Sequence, residues 1–207
     1  MKRYLRHLVL LKITLLSITA AALIGQMDGV LERMSLVSAW LCLVFFCGTL
    51  LIGPKTMLSG KPVPVNILLR RDLGIWTALT GITHFWLGTA FSMNQDYMGR
   101  FVSDELTESW FFWGSIWGFV TGLLCLILLL ASNNKFLRRV GATWWKRVQR
   151  LAYPTFVLTV VHGVYFQLLE NRGWFLWGML ALAVIVLAGQ GIGVIQFRKQ
   201  KSSPVKT

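Results

Sequence analysis

Six long apolar blocks alternate with short polar segments along the 207-residue chain. Each block has roughly the 17–25 residues that a helix needs to cross the hydrocarbon core of a bilayer. No connecting segment is long enough to fold alone. The pattern therefore predicts an all-α membrane protein, a single transmembrane domain over 1–207 built as a six-helix transmembrane bundle, with helices at about 8–25, 36–53, 73–92, 110–131, 152–170 and 174–195.

The lysines and arginines sort to one side of these blocks. With a cytoplasmic N-terminus, only three of the 21 basic residues fall in outer segments: Arg33, Arg100 and Arg172. Such an excess on the inner side is the positive-inside pattern that orients membrane proteins. Both termini are therefore predicted to face the cytoplasm, in a multi-pass protein of the cell (inner) membrane.

Composition supports this class and argues against nucleic acid as a partner. The chain is 55% hydrophobic and only 14% charged, whereas a soluble domain carries about a quarter charged residues. The net charge of +13 lies between the apolar blocks, where cations set topology and contact anionic lipid. We therefore expect membrane lipid, and no nucleic acid, around this protein.

The first apolar block has a second interpretation, and three prolines interrupt the chain after the second block. The first block follows MKRYLRH and contains Ala20, Ala21 and Ala22, so it could be a signal peptide. Lys12 interrupts its apolar core, and the charge alternation works best if the block is retained. Prolines at 54, 62 and 64 predict an irregular inner loop.

Two histidines lie inside apolar blocks, where ionisable side chains are rare and usually functional. His84 lies 11 residues after Leu73, about 16 Å along a helix, and His162 lies 12 residues after Arg150, about 18 Å. Both helices are predicted to run outward from the cytoplasmic side, so the imidazoles are expected at nearly the same depth. Two imidazoles on different helices can ligate one iron from opposite faces of a heme. His7, in the basic N-terminal segment, is expected to be solvated or to face lipid headgroups.

Small residues share a helical face with His84. Gly74, Thr77, Gly81, His84 and Gly88 recur at spacings of 3, 4, 3 and 4, which places them on one stripe of an α-helix. Glycines on either side leave space over the imidazole that a flat macrocycle could occupy. Thr77, Gly81 and Gly88 are therefore predicted to face a heme.

Two further groups of glycines indicate packing between helices. Gly114, Gly118 and Gly122 recur every four residues in the fourth block, a spacing that lets helices approach closely. A second group, at 189, 191 and 193, resembles a phosphate loop only superficially, because no strand precedes it and the membrane surrounds it. We interpret the first group as a packing surface and the second as packing or helix loosening.

The residues alone leave other functions open. A single membrane histidine is about as often a helix–helix hydrogen bond as a ligand. A zinc site would require a third or fourth ligand at the same depth. A proton relay would require carboxylates inside the bundle. A non-heme membrane anchor or assembly subunit for a redox partner would keep the same bundle. A small transporter would need a polar pathway that the sequence barely supplies.

Two stretches resemble the ferric reductase-like transmembrane domain, with a closer likeness to the heme-binding membrane subunit of the bacterial methionine sulfoxide reductase system: RRDLGIWTALTGITHFW (70–86) and LLLASNNKFLRRVGATWWKRVQRLAYPTFVLTVVHGVYF (128–166). The resemblance implies heme b between the third and fifth helices, with His84 and His162 as axial ligands of the heme iron. It also implies electron transfer from the cytoplasmic side outward. Where the family usually has a further histidine, before Arg-Leu-Xaa-Tyr, this chain has Gln149, a poor heme ligand. One heme is therefore expected.

Donor and acceptor are expected on other proteins, since only a short basic tail follows the last block. The donor would be a cytoplasmic flavin reductase, a flavin bound at the cytoplasmic side, or quinol. The basic loop containing Trp144 and Trp145 could bind flavin phosphate or an acidic reductase; equally, it could reflect positive-inside topology and interfacial anchoring. The acceptor would be an outer-side redox protein or a ferric chelate docking on the acid-rich segment 93–109; equally, this segment could be a solvated loop.

Overall fold

The computed structural model describes residues 3–24, 29–58, 66–94 and 110–202. Six of its helices match the six predicted apolar blocks and a seventh lies between the fourth and fifth, so the predicted all-α bundle is confirmed. The helices are α1 (Arg3–Leu23), α2 (Val30–Leu58), α3 (Ile67–Asn94), α4 (Trp110–Ala131), α5 (Asn134–Gln149), α6 (Ala152–Leu169) and α7 (Gly173–Ser202).

Five stretches of described helix are long and apolar enough to cross a membrane: α1, α2, α4, α7 and the run from α5 into α6. Helix α3 has 28 residues but is not among them. Two of its polar side chains are covered by protein, since Thr77 and Thr80 are only 4% and 1% exposed. Both hydroxyls donate to carbonyls of their own helix, so α3 carries these two residues through the bundle without turning them to lipid. The chain is a multi-pass membrane protein.

Ion pairs at both ends of the bundle show which helix ends lie together. At one end, Asp72 near the start of α3 accepts hydrogen bonds from Arg3 and Arg6 at the start of α1. At the other end, Arg172 before α7 pairs with Glu32 at the start of α2. Successive spans therefore alternate in direction. We call the end that carries Asp72 the basic end; α1, α3 and α6 begin there, and α2, α4 and α7 end there.

The sequence predicts His7 to be solvated or to face headgroups; in the structure its side chain is 33% exposed and belongs to the cluster around Asp72. Its Nδ1 accepts a hydrogen bond of 3.1 Å from Trp76 Nε1, and its Nε2 lies 3.4 Å from Asp72 Oδ1. Because Nδ1 accepts, the ring proton sits on Nε2 and faces the carboxylate. Helix α1 is thereby joined to α3 through side chains that the signal-peptide interpretation would remove.

The helices form two closely packed pairs around a shared apolar core. Helix α3 packs along α2, and α4 packs along α6. The core joins α2 to α6 and α7 through Phe46, Leu50, Phe156 and Val186, among others. Each of the two histidine-bearing helices, α3 and α6, thus has its own close neighbour.

The basic segment between α4 and α6 is helical, although its charge pattern predicts a loop. Asn133 caps α5, its Oδ1 accepting from the backbone N–H of Phe136 at 2.7 Å. The helix is kinked at Gly141, whose φ of 78° favours glycine. Trp145 Nε1 donates to the carbonyl of Ala131 at 3.0 Å and ties α5 back to α4. The segment is an amphipathic helix. Its many charged residues were interpreted as those of a loop, although its apolar residues recur with helical period.

Pro54 lies inside α2, not at the start of an irregular loop; Pro62 and Pro64 lie outside the described residues. A proline has no N–H for the carbonyl four residues earlier. Here that carbonyl, of Leu50, accepts a hydrogen bond of 2.6 Å from Gln190 Nε2 of α7. A side chain on α7 therefore replaces the missing helical donor and lets α2 continue.

We expect Gln190→Leu to destabilise the bundle by about 1–3 kcal/mol, because it leaves the Leu50 carbonyl buried without a donor. In a Pro54→Ala background the same change should cost much less, since residue 54 then supplies an N–H. Unfolding by denaturing detergent measures both costs. Gln196→Leu, on the same helix and with no side-chain hydrogen bond to any described residue, is the control. Equal costs in the two backgrounds would contradict the explanation.

Candidate functional site

His84 is oriented by the first turns of α2. Its Nδ1 lies 3.0 Å from the backbone oxygen of Ser35 and 3.1 Å from the Ser35 hydroxyl. The same backbone oxygen accepts a hydrogen bond of 2.7 Å from the Ser38 hydroxyl. Ser35 and Ser38 are 7% and 0% exposed, so His84 is held by a buried polar patch of the neighbouring helix.

His162 is oriented by α4 in the same way. Its Nδ1 lies 2.8 Å from the backbone oxygen of Gly114. One turn along α4, the ring lies directly over Gly118, where a Cβ atom would stand 2.6 Å from both Cε1 and Nδ1 of the imidazole. A residue larger than glycine at 118 would therefore collide with the ring as it is placed here.

The protonation of both rings follows from these contacts. A carbonyl oxygen can only accept a hydrogen bond, so each Nδ1 carries the proton and donates it. Nε2 of each ring then holds the lone pair. Metal-binding histidines usually have this arrangement, because the second hydrogen bond fixes both tautomer and ring orientation.

The structure brings the two imidazoles together, as their matched depths predict. The ring centroids of His84 and His162 are 6.0 Å apart and the ring planes are inclined at 67°. Phe166 packs against His162, with its ring centroid 5.0 Å from that of the imidazole. The helices α3 and α6 are not one of the closely packed helix pairs, so the rings reach toward each other across a gap between backbones.

This donor set fits axial ligation of a heme. Within the described residues, no three His, Cys, Asp or Glu side chains come together as a metal site, which leaves two imidazoles as donors. A heme needs only axial ligands from the protein, since the porphyrin supplies the others. With ring centroids 6.0 Å apart, the two imidazoles are close enough for one metal ion to lie between them.

The predicted heme-facing stripe lies against α2. A Cβ atom on Gly81 would stand 3.4 Å from the sulfur of Cys42, and one on Gly88 would stand 3.3 Å from the Ser35 hydroxyl. Thr77 is buried and bonded to its own helix. The stripe thus lets α3 approach the helix that orients His84; its contact with a heme stays a prediction.

The glycines of α4 and α7 pack as predicted, with two exceptions. Gly114 and Gly118 face Phe166 and His162 of α6, and a Cβ on Gly122 would meet nothing within 4 Å. On α7, Gly189 and Gly193 face α2, while Gly191 is open. Sequence spacing found the close approach at Gly118 without showing that its neighbour is the histidine ring.

A second pair of imidazoles is not available to this chain. It has three histidines, and the third, His7, is engaged with Trp76 and Asp72. Thr155 lies on α6, two helical turns from His162 toward the basic end. Its hydroxyl donates a hydrogen bond to the Leu151 carbonyl. Gln149 lies at the end of α5, and its side-chain nitrogen is buried with no hydrogen-bond partner in the described part of the chain.

Ser35 and Gly114 are the site residues that sequence reasoning missed. Each acts through its backbone oxygen from a different helix, 49 and 48 positions away from the histidine that it orients. Any residue type could supply that oxygen, so the sequence carries no direct signal for either. The acid-rich segment proposed to dock an acceptor lies largely outside the described residues.

Comparison with known proteins agrees with this geometry. Residues 35–160 match the family described as ferric reductase like transmembrane component. Two relatives are named protein-methionine-sulfoxide reductase heme-binding subunit MsrQ. The one from Ralstonia nicotianae is 31% identical over 124 residues, which cover 58% of this chain and 52% of the relative. The one from Pasteurella multocida is 24% identical over 140 residues, covering 68% and 64%.

A third relative, an uncharacterized protein of Treponema pallidum, is 36% identical over 96 residues, covering 45% of this chain and 25% of the relative. No solved structure matches. The chain spans about half the length of the Ralstonia protein. The matched family region includes His84 in α3 and ends two residues before His162. Because that region covers more than half of its residues, the chain belongs to the ferric reductase-like transmembrane component family.

Proposed function

We propose that this protein is the electron-transfer subunit of a membrane oxidoreductase and binds one b-type heme between His84 and His162. One observation carries the proposal: two imidazoles from different helices, 6.0 Å apart, each with its Nδ1 bound to a backbone oxygen. Membership of the ferric reductase-like family supports it, as do relatives named heme-binding subunits.

The chain's own groups would prepare the site in advance. The oxygens of Ser35 and Gly114 hold the two rings in the tautomer that leaves Nε2 available. Gly118 leaves the space in which the His162 ring lies. A bound heme supplies a one-electron redox couple, and two protein ligands leave no open coordination position, which suits electron transfer rather than oxygen chemistry.

Electrons would enter at the basic end and leave at the opposite one. We infer from the excess of lysine and arginine at the basic end that this end faces the cytoplasm, where a flavin reductase, a bound flavin or quinol would act as donor. An outer-side redox protein or a ferric chelate would act as acceptor. As the relatives are named subunits of a protein-methionine-sulfoxide reductase, a protein of that class is the first acceptor to test.

The test is the absorption spectrum of protein purified in mild detergent from heme-supplied cells. We expect a b-type spectrum on reduction with dithionite, with about one heme per chain. His84→Ala and His162→Ala should each abolish it, because each removes one of two axial ligands. His7→Gln, which changes the histidine outside the pair, should keep it.

Elution as a single species, together with helix content by circular dichroism, shows whether each variant folds. Colourless wild-type protein from heme-supplied cells would overturn the proposal and favour the non-heme anchor. Pigment that survives in both alanine variants would assign the heme to other ligands.

A further inference from the structure

A groove of about 220 Å³ opens at the basic end between α2, α3, α6 and α7. It lies where the apolar blocks of α2 and α7 give way to polar sequence, near Pro54 and Phe197, and a boundary of this kind matches the level of lipid headgroups. It is distinct from the imidazole pair and does not depend on the proposed function. Its lining residues are Leu50, Gly53, Pro54, Arg70, Tyr153, Gln190, Gly193, Val194 and Phe197.

Backbone packing shapes this groove. Gly193 brings α7 against α2, since a Cβ there would stand 3.3 Å from Pro54. At Gly53, one position earlier on α2, a Cβ would meet nothing within 4 Å. The Gln190 amide is occupied by the Leu50 carbonyl. The floor is therefore apolar and open next to a tight helix contact.

Two polar groups of the lining have no partner in the described part of the chain. Among the described residues, the Arg70 guanidinium makes no ion pair and the Tyr153 hydroxyl makes no hydrogen bond. Arg3 and Arg6, at the same end, are bound to Asp72. Arg70 of α3 is thus a cation that no described carboxylate pairs, and it lines the same apolar groove as the hydroxyl of Tyr153 on α6.

A cation and a hydroxyl above an apolar floor match the phosphate and the acyl chain of one lipid. Guanidinium groups bind phosphate with paired, charge-assisted hydrogen bonds, and basic pockets between membrane helices on the cytoplasmic side bind lipid headgroups. We propose that this groove is a specific site for an anionic phospholipid, with its phosphate on Arg70 and Tyr153 and an acyl chain against Leu50, Val194 and Phe197.

Phosphatidylglycerol binding to the delipidated full chain in detergent, measured by native mass spectrometry, tests the site, with phosphatidylcholine for comparison. We expect one phosphatidylglycerol to be retained, at least about tenfold more tightly than phosphatidylcholine. Arg70→Ala should remove that preference, and Tyr153→Phe should weaken phosphatidylglycerol binding about fivefold. Arg198→Ala removes an exposed cation of the same end outside the groove, so it should leave binding within about twofold.

A second variant blocks the groove sterically and leaves the charge of the protein unchanged. Gly53→Phe places a ring in the open space beside Pro54 and should displace the lipid while α2 stays helical. Equal losses in Arg70→Ala and Arg198→Ala would overturn the proposal in favour of diffuse attraction. The proposal would also be overturned if inorganic phosphate displaced bound phosphatidylglycerol as effectively as free phosphatidylglycerol does. The same holds if phosphatidylcholine bound as tightly as phosphatidylglycerol.

Discussion

Gly118→Ala is expected to lower heme occupancy by about tenfold or more, although it adds a single methyl group far from any charge. The added Cβ would stand 2.6 Å from Cε1 and Nδ1 of His162, closer than van der Waals contact allows. Relief requires the ring to move, and movement breaks its 2.8 Å hydrogen bond to the Gly114 oxygen. Overpacking of this kind typically costs about 1–3 kcal/mol, and 1.4 kcal/mol is a factor of ten in binding.

The same helix provides a matched control. Gly122 lies one turn further along α4, and a Cβ there would meet nothing within 4 Å. Gly122→Ala makes the same chemical change and raises helix propensity equally, so it should keep full heme content. Heme per chain is measured from the reduced spectrum, and circular dichroism monitors the fold of both variants. Equal heme content in the two variants would show that Gly118 does not seat the ligand.

Arg6→Met is expected to destabilise the bundle by about 3 kcal/mol, the largest effect on stability that we predict. Asp72 is fully buried, and Arg6 binds its Oδ2 through both Nε, at 3.0 Å, and a terminal nitrogen, at 2.6 Å. Removing one partner of a buried ion pair leaves an uncompensated charge, which typically costs about 3–5 kcal/mol. Arg3 still binds the carboxylate through Oδ1, so the low end of that range applies.

Two other arginine and lysine changes calibrate this result. The Arg3 side chain is 42% exposed, against 15% for Arg6, so Arg3→Met should cost clearly less. Lys12→Met, on the exposed face of α1, should cost almost nothing. In an Asp72→Asn background the penalty of Arg6→Met should shrink, because no buried charge is left unpaired. Thermal unfolding in detergent measures all of these; a penalty that persists undiminished in that background would contradict the ion-pair explanation.

The six spans and the pairing of the two histidines could be predicted from the sequence because both depend on local spacing. Apolar length sets where a helix can cross a membrane, and a fixed rise per residue converts sequence position into depth. His84 and His162 were therefore expected at one level, and their rings meet there. The helix α5 was missed because its charges resemble those of a loop, while its apolar residues recur with helical period.

Side-chain partners between distant helices could not be predicted in this way. His7 was expected to be solvated or to face headgroups, and its contacts with Trp76 and Asp72 were not predicted. Pro54 was expected to end its helix, yet Gln190 from α7 supplies the donor that lets it continue. Both depend on residues far apart in sequence whose types would suit many other partners.

By itself, then, the sequence determined the membrane class, the alternation of helix direction and the depth of the two imidazoles, because these follow from spacing along one helix at a time. Only the tertiary structure decided which way each ring faces. That choice depends on the backbone oxygens of Ser35 and Gly114 and on the missing side chain of Gly118. Backbone atoms are the same in every residue, so their role arises only when two helices pack together.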